Sequence, residues 1–318
     1  MPLKPVPLSE VQKLGEGLNR PDGIVVGRDG RVWATDRGAA VALVRQDGFK
    51  RMGAAIGAAS GLAIDKQGRI LIADFGVEAG RPGALQRFDT ATGKIETVAD
   101  AVEGRPLTAS SFPVVAADGT VYCSHSTFVK PMGAISLENA KDGLVFRVDA
   151  RGKTDIVARD LHFAKGSCFD TGEKNLYVVQ GFAGTVMRYG RRRDGTLDPP
   201  KPYGPRLGAI PQEKLTAETL AAMSVRDRNK IGFGEGCCFD AEGNLWVALV
   251  YANRIVAITP NFSISVIIND PEGQIVNMPT SLAFGGADMR DLYIGMRGAG
   301  YIVKVRSPLP GLPLSHQR

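Results

Sequence analysis

Residues 235–249, EGCCFDAEGNLWVAL, contain the pattern that decides the fold. A first apolar stretch is followed by a turn that carries Asp240 and Gly243, and a second apolar stretch contains Trp246. Two short apolar runs separated by an Asp/Gly turn are typical of a β-hairpin. We therefore predict two antiparallel strands over these residues.

The same layout recurs along the whole chain. The other copies are DGIVVGRDGRVWATD from Asp22, SGLAIDKQGRILIAD from Ser60, SFPVVAADGTVYCSH from Ser111, KGSCFDTGEKNLYVV from Lys165 and SLAFGGADMRDLYIG from Ser281. In four of the six copies a glycine stands eight residues after the first residue, and Glu173 and Met289 stand there in the other two. The turn therefore has the same phase in every repeat.

A second hairpin follows the first, as in GALQRFDTATGKIETVAD and NRIVAITPNFSISVIIND. Each unit then contains four short antiparallel strands, and 318 residues over six units give about 53 residues each, which is typical of a β-propeller blade. The last unit lacks a fourth strand, and the N-terminal VQKLGEG is predicted to supply it and to close the ring. We predict an all-β fold, with one six-bladed propeller domain over residues 1–318.

One helical insertion is predicted at about residues 191–230, between outer strands. Leu215, Thr219, Leu220 and Met223 fall on one helical face, and Thr216 is suited to begin the helix. The insertion is either a lid over the channel or a plain connection, and the sequence favours neither.

Composition excludes several classes of protein. Hydrophobic residues make up 44% and charged residues 23%, and glycine or charge interrupts every apolar run before the roughly 20 residues of a membrane helix. The N-terminus has no apolar signal core, so we expect a cytoplasmic protein. The net charge is +6, but the basic residues are scattered, so we expect no nucleic-acid partner. Because the apolar runs are short, we expect no membrane partner. The four cysteines are expected to be small core residues.

The fixed phase also predicts a site. The first residue of each copy begins an innermost strand, so six side chains should form a ring at one mouth of the central channel: Asp22, Ser60, Ser111, Lys165, Glu235 and Ser281. Three of them are ionisable. Converging charges in a concave site are costly unless they are paired or used. We therefore predict that this mouth is the functional site.

The repeats resemble the gluconolactonase/regucalcin (senescence marker protein) family of six-bladed propellers, and more distantly the strictosidine synthase-like proteins, the paraoxonases and diisopropyl fluorophosphatase. MPTSLAFGGADMRDLYIG is similar to the family's last-blade signature PTNxAFGGPDxxxLY, and GEGCCFDAEGNLWVAL is similar to its PDGLAVDAEGNLWVA. RPDGIVVGRDGRVWATD is similar to PEGPVWDxxGxLxFxD. The resemblance implies a hydrolase that opens a lactone or related ester of a small, hydroxylated or cyclic substrate.

The resemblance also implies a divalent cation, usually calcium or zinc, bound by Glu, two Asn and Asp. The matching positions here are Asp22, Ser111, Lys165 and Glu235. Both carboxylates are kept, but an ammonium group cannot ligate a cation and repels one nearby. We therefore favour a site without a metal, in which Lys165 pairs with Glu235 or Asp22. Asp22 and Glu235 would be the ligands if calcium or another divalent ion is bound.

Three functions stay open from the sequence. The first is a lactonase- or esterase-like hydrolase of a small molecule. The second is a metal-independent lyase, isomerase or cyclase, with Glu235 as the base and Lys165 as its electrophilic partner or as a Schiff-base amine. The third is a propeller that binds a ligand without catalysis. We expect an enzyme, but the reaction, the substrate and the oligomeric state are not indicated.

The candidate residues divide into two groups. Glu235, Lys165 and Asp22 are the candidate catalytic residues. The candidate substrate-binding residues are the three serines of the ring and three residues near strand ends or in the following loops: Ser60, Ser111, Ser281, His125, Tyr251 and Asn253.

Overall fold

The fold is described by a computed structural model that covers residues 3–210 and 216–318. Its strands form six four-stranded antiparallel sheets, the blades of a six-bladed β-propeller. The innermost strand of each blade packs against the innermost strands of both neighbours, which gives a closed ring around a central channel. The predicted fold class is therefore confirmed.

The strands of each blade are numbered from the channel outward, with the following bounds. Blade one contains β2 (Ile24–Val26), β3 (Val32–Ala34), β4 (Val41–Arg45) and β5 (Gly48–Met52). Blade two contains β6 (Ala59–Ile64), β7 (Ile70–Asp74), β8 (Leu85–Phe88) and β9 (Ile95–Ala99). A small hairpin of β10 (Ala101–Val102) and β11 (Arg105–Pro106) follows. Blade three contains β12 (Ser110–Val115), β13 (Val121–His125), β14 (Gly143–Val148) and β15 (Thr154–Leu161).

The remaining blades follow the same order. Blade four contains β16 (Ala164–Phe169), β17 (Asn175–Gln180), β18 (Thr185–Gly190) and β19 (Lys201–Tyr203). Blade five contains β20 (Gly234–Phe239), β21 (Leu245–Leu249), β22 (Arg254–Ile258) and β23 (Ile264–Asn269). Blade six contains β24 (Pro279–Gly285), β25 (Asp291–Met296), β26 (Ile302–Arg306) and the N-terminal β1 (Gln12–Leu14).

The N-terminal strand closes the ring, as predicted. β1 pairs antiparallel with β26, with Gln12 opposite Lys304 and Leu14 opposite Ile302. The last blade is thereby completed by the beginning of the chain, so its outer strand is paired rather than open. First and last segments are held together by backbone hydrogen bonds.

The turn of each inner hairpin requires a left-handed residue. Gly243 has a φ of 82°, and the residues at the same place in the two copies without glycine, Glu173 and Met289, have φ values of 55° and 56°. In the quoted copy, Asp240 Oδ1 accepts hydrogen bonds from the backbone N–H groups of Glu242 and Asn244. The Asp thus closes the turn and the glycine adopts the conformation that other residues adopt at a cost.

Glycines also let the inner strands approach closely at the channel. A Cβ atom at Gly61 would lie 2.5 Å from the carbonyl oxygen of Ser111, and one at Gly166 would lie 2.5 Å from that of Glu235. Real Cβ atoms essentially never come this close to a neighbour. The glycine after the first residue of these copies therefore fixes the spacing of the ring.

The helical insertion differs from its predicted position. Residues up to Tyr203 belong to blade four, because β19 pairs with β18. The insertion therefore begins after residue 203 and joins the outermost strand of blade four to the innermost strand of blade five, rather than two outer strands. The sequence analysis did not predict β19 because Pro202 has no N–H to donate to a sheet. Proline is nevertheless tolerated in an edge strand such as β19, which has no further strand on its outer side.

Two short helices lie in the described part of this insertion, α1 (Ala217–Ala222) and α2 (Val225–Arg228). Thr216 begins α1 as predicted, since its hydroxyl accepts the backbone N–H of Thr219. Leu220 and Met223 pack against a hydrophobic cluster at the channel mouth. Leu215, the fourth predicted member of this face, lies outside the described residues.

The C-terminal residues cover the other end of the channel. Ser315 Oγ donates a hydrogen bond to the carbonyl oxygen of Val115, and Gln317 Nε2 donates to those of Val26 and Phe284. These carbonyls lie at the far ends of inner strands from three different blades. The tail therefore joins the blades at the end opposite to the first residues of the repeats.

Two further expectations concern the core and the membrane. All four cysteines are buried and free, as predicted. Among the residues that the structure describes, none of the helices has the length and apolar character needed to cross a lipid bilayer.

Candidate functional site

Four charged side chains meet at the channel mouth. Lys165 Nζ lies 3.3 Å from Glu235 Oε2, which is one of the two predicted pairings, and both side chains are only 1% exposed. Arg297 Nη2 donates to Glu235 Oε1 at 3.2 Å, and Arg297 Nε lies 3.6 Å from Asp22 Oδ1. One buried carboxylate is thus held between two cations from other blades.

The network continues to the edge of the mouth. Arg20 Nε lies 3.1 Å from Asp22 Oδ2, and Arg20 Nη1 lies 2.6 Å from Glu78 Oε1. Glu78 Oε2 in turn accepts a hydrogen bond from Arg37 Nη2 at 2.9 Å. We call these seven residues the ionic cluster: Asp22, Glu78, Glu235, Arg20, Arg37, Lys165 and Arg297. With three acids and four bases, it carries a small positive excess.

Burial and neighbouring charge shift the pKa values within the cluster. Burial lowers the pKa of Lys165, and the Glu235 carboxylate opposes this shift. Burial raises the pKa of Asp22, against the effect of Arg297 and Arg20. Burial also disfavours the Glu78 carboxylate, but Arg20 and Arg297 outweigh it and hold the pKa of Glu78 below its ordinary value. Lys165 is therefore a weaker base than an exposed lysine, and Glu78 is ionised at neutral pH.

A cavity of about 270 Å³ lies directly over this cluster. It is lined mainly by aromatic and apolar side chains, with a few polar ones: Phe75, Glu78, Met132, Gly133, Ile135, Phe163, Lys165, Phe182, Thr216, Phe233, Tyr251 and Arg297. Lys165 Nζ lies 4.3 Å from the ring centre of Phe75 and 4.9 Å from that of Phe163, so aromatic faces shield its charge. We call this space the mouth cavity.

The candidate catalytic residues have different positions relative to the mouth cavity. Lys165 lines it, whereas Glu235 and Asp22 are not among the lining residues. Glu235 instead contacts both cations that line it, Lys165 and Arg297, and Asp22 contacts Arg297. In this arrangement Glu235 and Asp22 orient and balance the cations, and Glu78 is the carboxylate on the cavity surface.

The three serines of the predicted ring are buried and do not line the mouth cavity. Ser111 Oγ lies 2.6 Å from Ser126 Oγ, which donates to the carbonyl oxygen of Ala164 in the next blade. Ser281 Oγ accepts the backbone N–H of Ile24 across the blade junction. Ser60 is also buried, at the second position of β6. Ser281 thus connects two blades directly, whereas Ser111 reaches the next blade only through Ser126.

The remaining candidates divide in the same way. Tyr251 lines the mouth cavity, and burial raises its pKa. His125 does not line it; its Nε2 accepts the backbone N–H groups of Thr108 and Ala109 at 3.0 and 3.1 Å. Burial, with Arg105 nearby, lowers the pKa of His125 to about 3, so the ring is neutral. Asn253 Oδ1 accepts the backbone N–H of Met278, also outside the cavity.

Several residues that line the mouth cavity were not predicted from the sequence. Phe163 and Phe233 directly precede the innermost strands β16 and β20, and Phe75 and Arg297 directly follow the second strands β7 and β25. These positions flank the mouth end of each inner hairpin, as Tyr251 does two residues after β21. Applying the same positional rule to every blade would have identified them.

The donor set does not fit the divalent cation that the resemblance implies. At the four matching positions the two carboxylates are already balanced by Lys165 and Arg297, and the ammonium group lies where the family has a neutral amide. A divalent ion here would face two buried positive charges. Within residues 3–210 and 216–318, no group of three or more His, Cys, Asp and Glu side chains is arranged to hold a metal.

Comparison with known proteins is consistent with this fold. Residues 39–296 match the family described as SMP-30/Gluconolactonase/LRE-like region. A 6-deoxy-6-sulfogluconolactonase of Pseudomonas putida is 26% identical over 152 residues, which are 48% of this chain and 44% of that protein. The matched segment thus spans less than half of that curated relative.

Solved structures are similar over nearly the whole chain. A gluconolactonase from Xanthomonas campestris has a TM-score of 0.69 at 19% identity, over 98% of this chain and 95% of that one. A calcium-binding protein, regucalcin from Agrobacterium tumefaciens, has a TM-score of 0.68 at 16% identity, over 94% and 93%. These similarities concern the fold. Because the family match extends over most of this chain, the chain belongs to the SMP-30/gluconolactonase/LRE-like family.

Proposed function

We propose that this protein hydrolyses a small lactone or related ester in the mouth cavity and that it does so without a metal ion. The observation that carries the proposal is the position of two cations, Lys165 and Arg297, in the lining of a largely apolar cavity. Glu235, which does not line the cavity, pairs with both of them. The family membership and the lactonase among its relatives support a hydrolase.

The cations provide what ester hydrolysis needs most. When water attacks the carbonyl carbon, the carbonyl oxygen becomes an oxyanion, and preorganised positive groups stabilise this charge strongly in a site that excludes water. In metal-dependent hydrolases a divalent ion polarises this oxygen. Here Lys165 and Arg297 take that role. Glu235 acts as a positioning residue, because it pairs with both cations and keeps them on the cavity floor.

Glu78 is the proton acceptor in this proposal. It is the carboxylate among the lining residues, and Arg20 and Arg297 keep it ionised. Each of its oxygens is paired with an arginine but keeps a second lone pair that can accept a proton from water. Glu78 takes a proton from the attacking water as the bond to the carbonyl carbon forms. The tetrahedral intermediate then breaks its ring C–O bond, and the leaving alkoxide takes up the proton, which gives a hydroxy acid.

A second candidate is elimination or isomerisation next to a carbonyl group, with the same residues. It is favoured by the buried contact between Lys165 and Glu235, since burial lowers the pKa of Lys165 and so makes its proton easier to donate. The two candidates differ in their products. Hydrolysis adds the mass of one water to the substrate, whereas neither isomerisation nor elimination adds water, and elimination leaves a new double bond.

The test is a lactone and ester panel followed by pH-stat titration and mass spectrometry. We expect Lys165→Met to lower kcat/KM by about 100- to 1,000-fold, since it removes one oxyanion partner. We expect Glu78→Gln to lower kcat by about 100-fold or more, since it removes the base. Lys304→Met is the matched control, because Lys304 pairs with Asp291 at 2.8 Å on the outer part of blade six.

The control is expected to retain wild-type kinetics. Full activity of Lys165→Met, with its folding confirmed by circular dichroism, would refute the assigned role of Lys165. Binding of panel compounds without any turnover would instead support a non-catalytic ligand-binding propeller.

A further inference from the structure

The walls of the mouth cavity are unusually rich in aromatic rings. The ring centres of Phe163 and Phe182 are 4.7 Å apart, those of Phe182 and Phe233 are 5.2 Å apart, and those of Phe233 and Tyr251 are also 5.2 Å apart. Phe75 extends the row, with its ring centre 6.0 Å from that of Phe163. Such distances are typical of favourable aromatic pairs. The rings form one continuous apolar wall above the ionic cluster.

The backbone of this wall is held in an uncommon conformation. Phe163 has a φ of 61°, in the left-handed region that a bulky side chain rarely adopts. It lies two residues before Lys165 and is buried against three other aromatic rings, those of Phe75, Phe182 and Phe233. Strained residues of this kind cluster at ligand sites. The position of the Phe163 ring is therefore maintained at a conformational cost.

The polar groups of the lining are largely engaged with the protein itself. Both oxygens of Glu78 bind arginines, Arg297 binds Glu235, and Thr216 is bound to Thr219 at the start of α1. The hydroxyl of Tyr251 makes no hydrogen bond to any residue in the described ranges. Arg297 Nε also has no hydrogen-bond partner among them, although it lies 3.6 Å from Asp22 Oδ1. Few partners are thus available for a ligand with many hydroxyl groups.

This distribution indicates the substrate. A sugar lactone carries a hydroxyl on most ring carbons. Each hydroxyl that is buried without a hydrogen-bond partner costs about 1–3 kcal/mol of binding free energy, because it loses its hydrogen bonds to water. An apolar ring loses nothing by the same transfer and gains contact with the phenylalanines. The cavity of about 270 Å³ is also small, near the lower limit of about 300 Å³ for ligand pockets.

We propose that the substrate is a lactone or ester with an apolar, preferably aromatic ring and few hydroxyl groups, rather than a polyhydroxylated sugar lactone. The inference rests on the proposed hydrolysis in the mouth cavity. The carbonyl group faces Lys165 and Arg297, and the apolar ring lies against Phe163, Phe182 and Phe233.

The test compares two lactones of equal ring size, δ-valerolactone with a phenyl substituent and glucono-1,5-lactone, each corrected for its spontaneous hydrolysis. We expect kcat/KM to be about 100-fold higher for the phenyl lactone. Two hydroxyl groups of the sugar lactone without partners suffice for this difference, because each lowers kcat/KM about tenfold or more. A preference for the sugar lactone would overturn the substrate class while leaving the proposed hydrolysis intact.

Calorimetry with the two product acids separates the two proposals. If neither lactone is hydrolysed but the phenyl hydroxy acid binds more tightly than gluconate, the hydrolase proposal fails and the substrate class stands. If gluconate binds as tightly or more tightly, or if neither acid binds, the substrate class is overturned as well.

A pair of variants locates the effect. Phe182→Leu should raise KM for the phenyl lactone by about 2- to 10-fold, because it removes aromatic contact but keeps an apolar side chain. Phe262→Leu is the control, since Phe262 is 52% exposed and does not line the cavity. Equal effects of the two substitutions, or no effect of Phe182→Leu, would contradict binding against this wall.

Discussion

The two ends of the central channel are built by the same six inner strands and yet differ in chemistry. At the mouth, Lys165, Glu235 and Arg297 form ion pairs beneath a cavity of about 270 Å³. At the other end a space of only about 70 Å³ is lined by residues such as Leu62 and Cys168, and the C-terminal residues lie across it.

The difference follows from where the charged residues stand. Lys165 and Glu235 are first residues of the repeat, and Arg297 directly follows the second strand of blade six. The side chains two or three positions further along the inner strands are mostly apolar or small, as in Cys237 and Cys238. The far end can therefore pack and be covered, whereas the mouth must pair its charges. We infer that one end stabilises the ring and that the other carries the chemistry.

The largest effect on stability is expected at the mouth. Glu235→Gln removes the carboxylate that lies between Lys165 and Arg297, and breaking such a buried pair costs about 3–5 kcal/mol in the free energy of unfolding. Glu96→Gln is the control, because Glu96 is 38% exposed and surface pairs contribute about 1 kcal/mol or less. Equal losses in urea denaturation would show that the mouth network has no special energetic role.

A smaller effect is expected at the far end. Removing residues 315–318 takes away the hydrogen-bond partners of Val26, Val115 and Phe284, which should lower the free energy of unfolding by about 1–3 kcal/mol. Because this end does not contact the mouth cavity, kcat/KM should not change. A loss of activity in the still folded truncated protein would contradict the division between the two ends.

The smallest predicted change is in the pH dependence of activity. The proposed mechanism needs protonated Lys165, and burial lowers its pKa from the ordinary 10.5, so kcat/KM should fall with rising pH below the ordinary lysine range. The pKa of Glu78 is held below 4.5, so activity should persist in mildly acidic solution. Lys165→Arg should move the alkaline loss to higher pH, since guanidinium keeps its proton. If kcat/KM of this variant falls at the same alkaline pH as that of the wild type, the loss of activity is due to another group.

The sequence predicted the fold and the charged ring because both follow from one periodic signal. The phase of the turns identified Lys165 and Glu235 as neighbours at one mouth, and they are in contact. It did not identify Glu78, which lies in the connection between β7 and β8, where no repeat constrains the conformation. It also treated Glu235 as a group facing the substrate, although two longer cations from other blades lie over it.

The aromatic wall was missed for a related physical reason. The place of Phe163 directly before β16 could have been read from the repeat, but the direction of its ring depends on its positive φ, and Phe182 lies in the loop after β17, where the repeat does not determine the direction of a side chain. Alternation along strands predicts which side chains face the channel, but it does not extend into loops. In the proposed function, substrate selectivity therefore depends on residues outside the strands, which the repeat pattern determines least.

We propose that Lys165 and Arg297 stabilise the oxyanion at the mouth in place of a divalent ion. The most direct test is kcat/KM of the wild type on its fastest lactone, before and after exhaustive dialysis against a chelator, with the metal content of both samples measured. We expect no stoichiometric divalent ion and an unchanged kcat/KM. A stoichiometric calcium or zinc ion whose removal abolishes hydrolysis, and whose return restores it, would show that the two cations do not replace a metal.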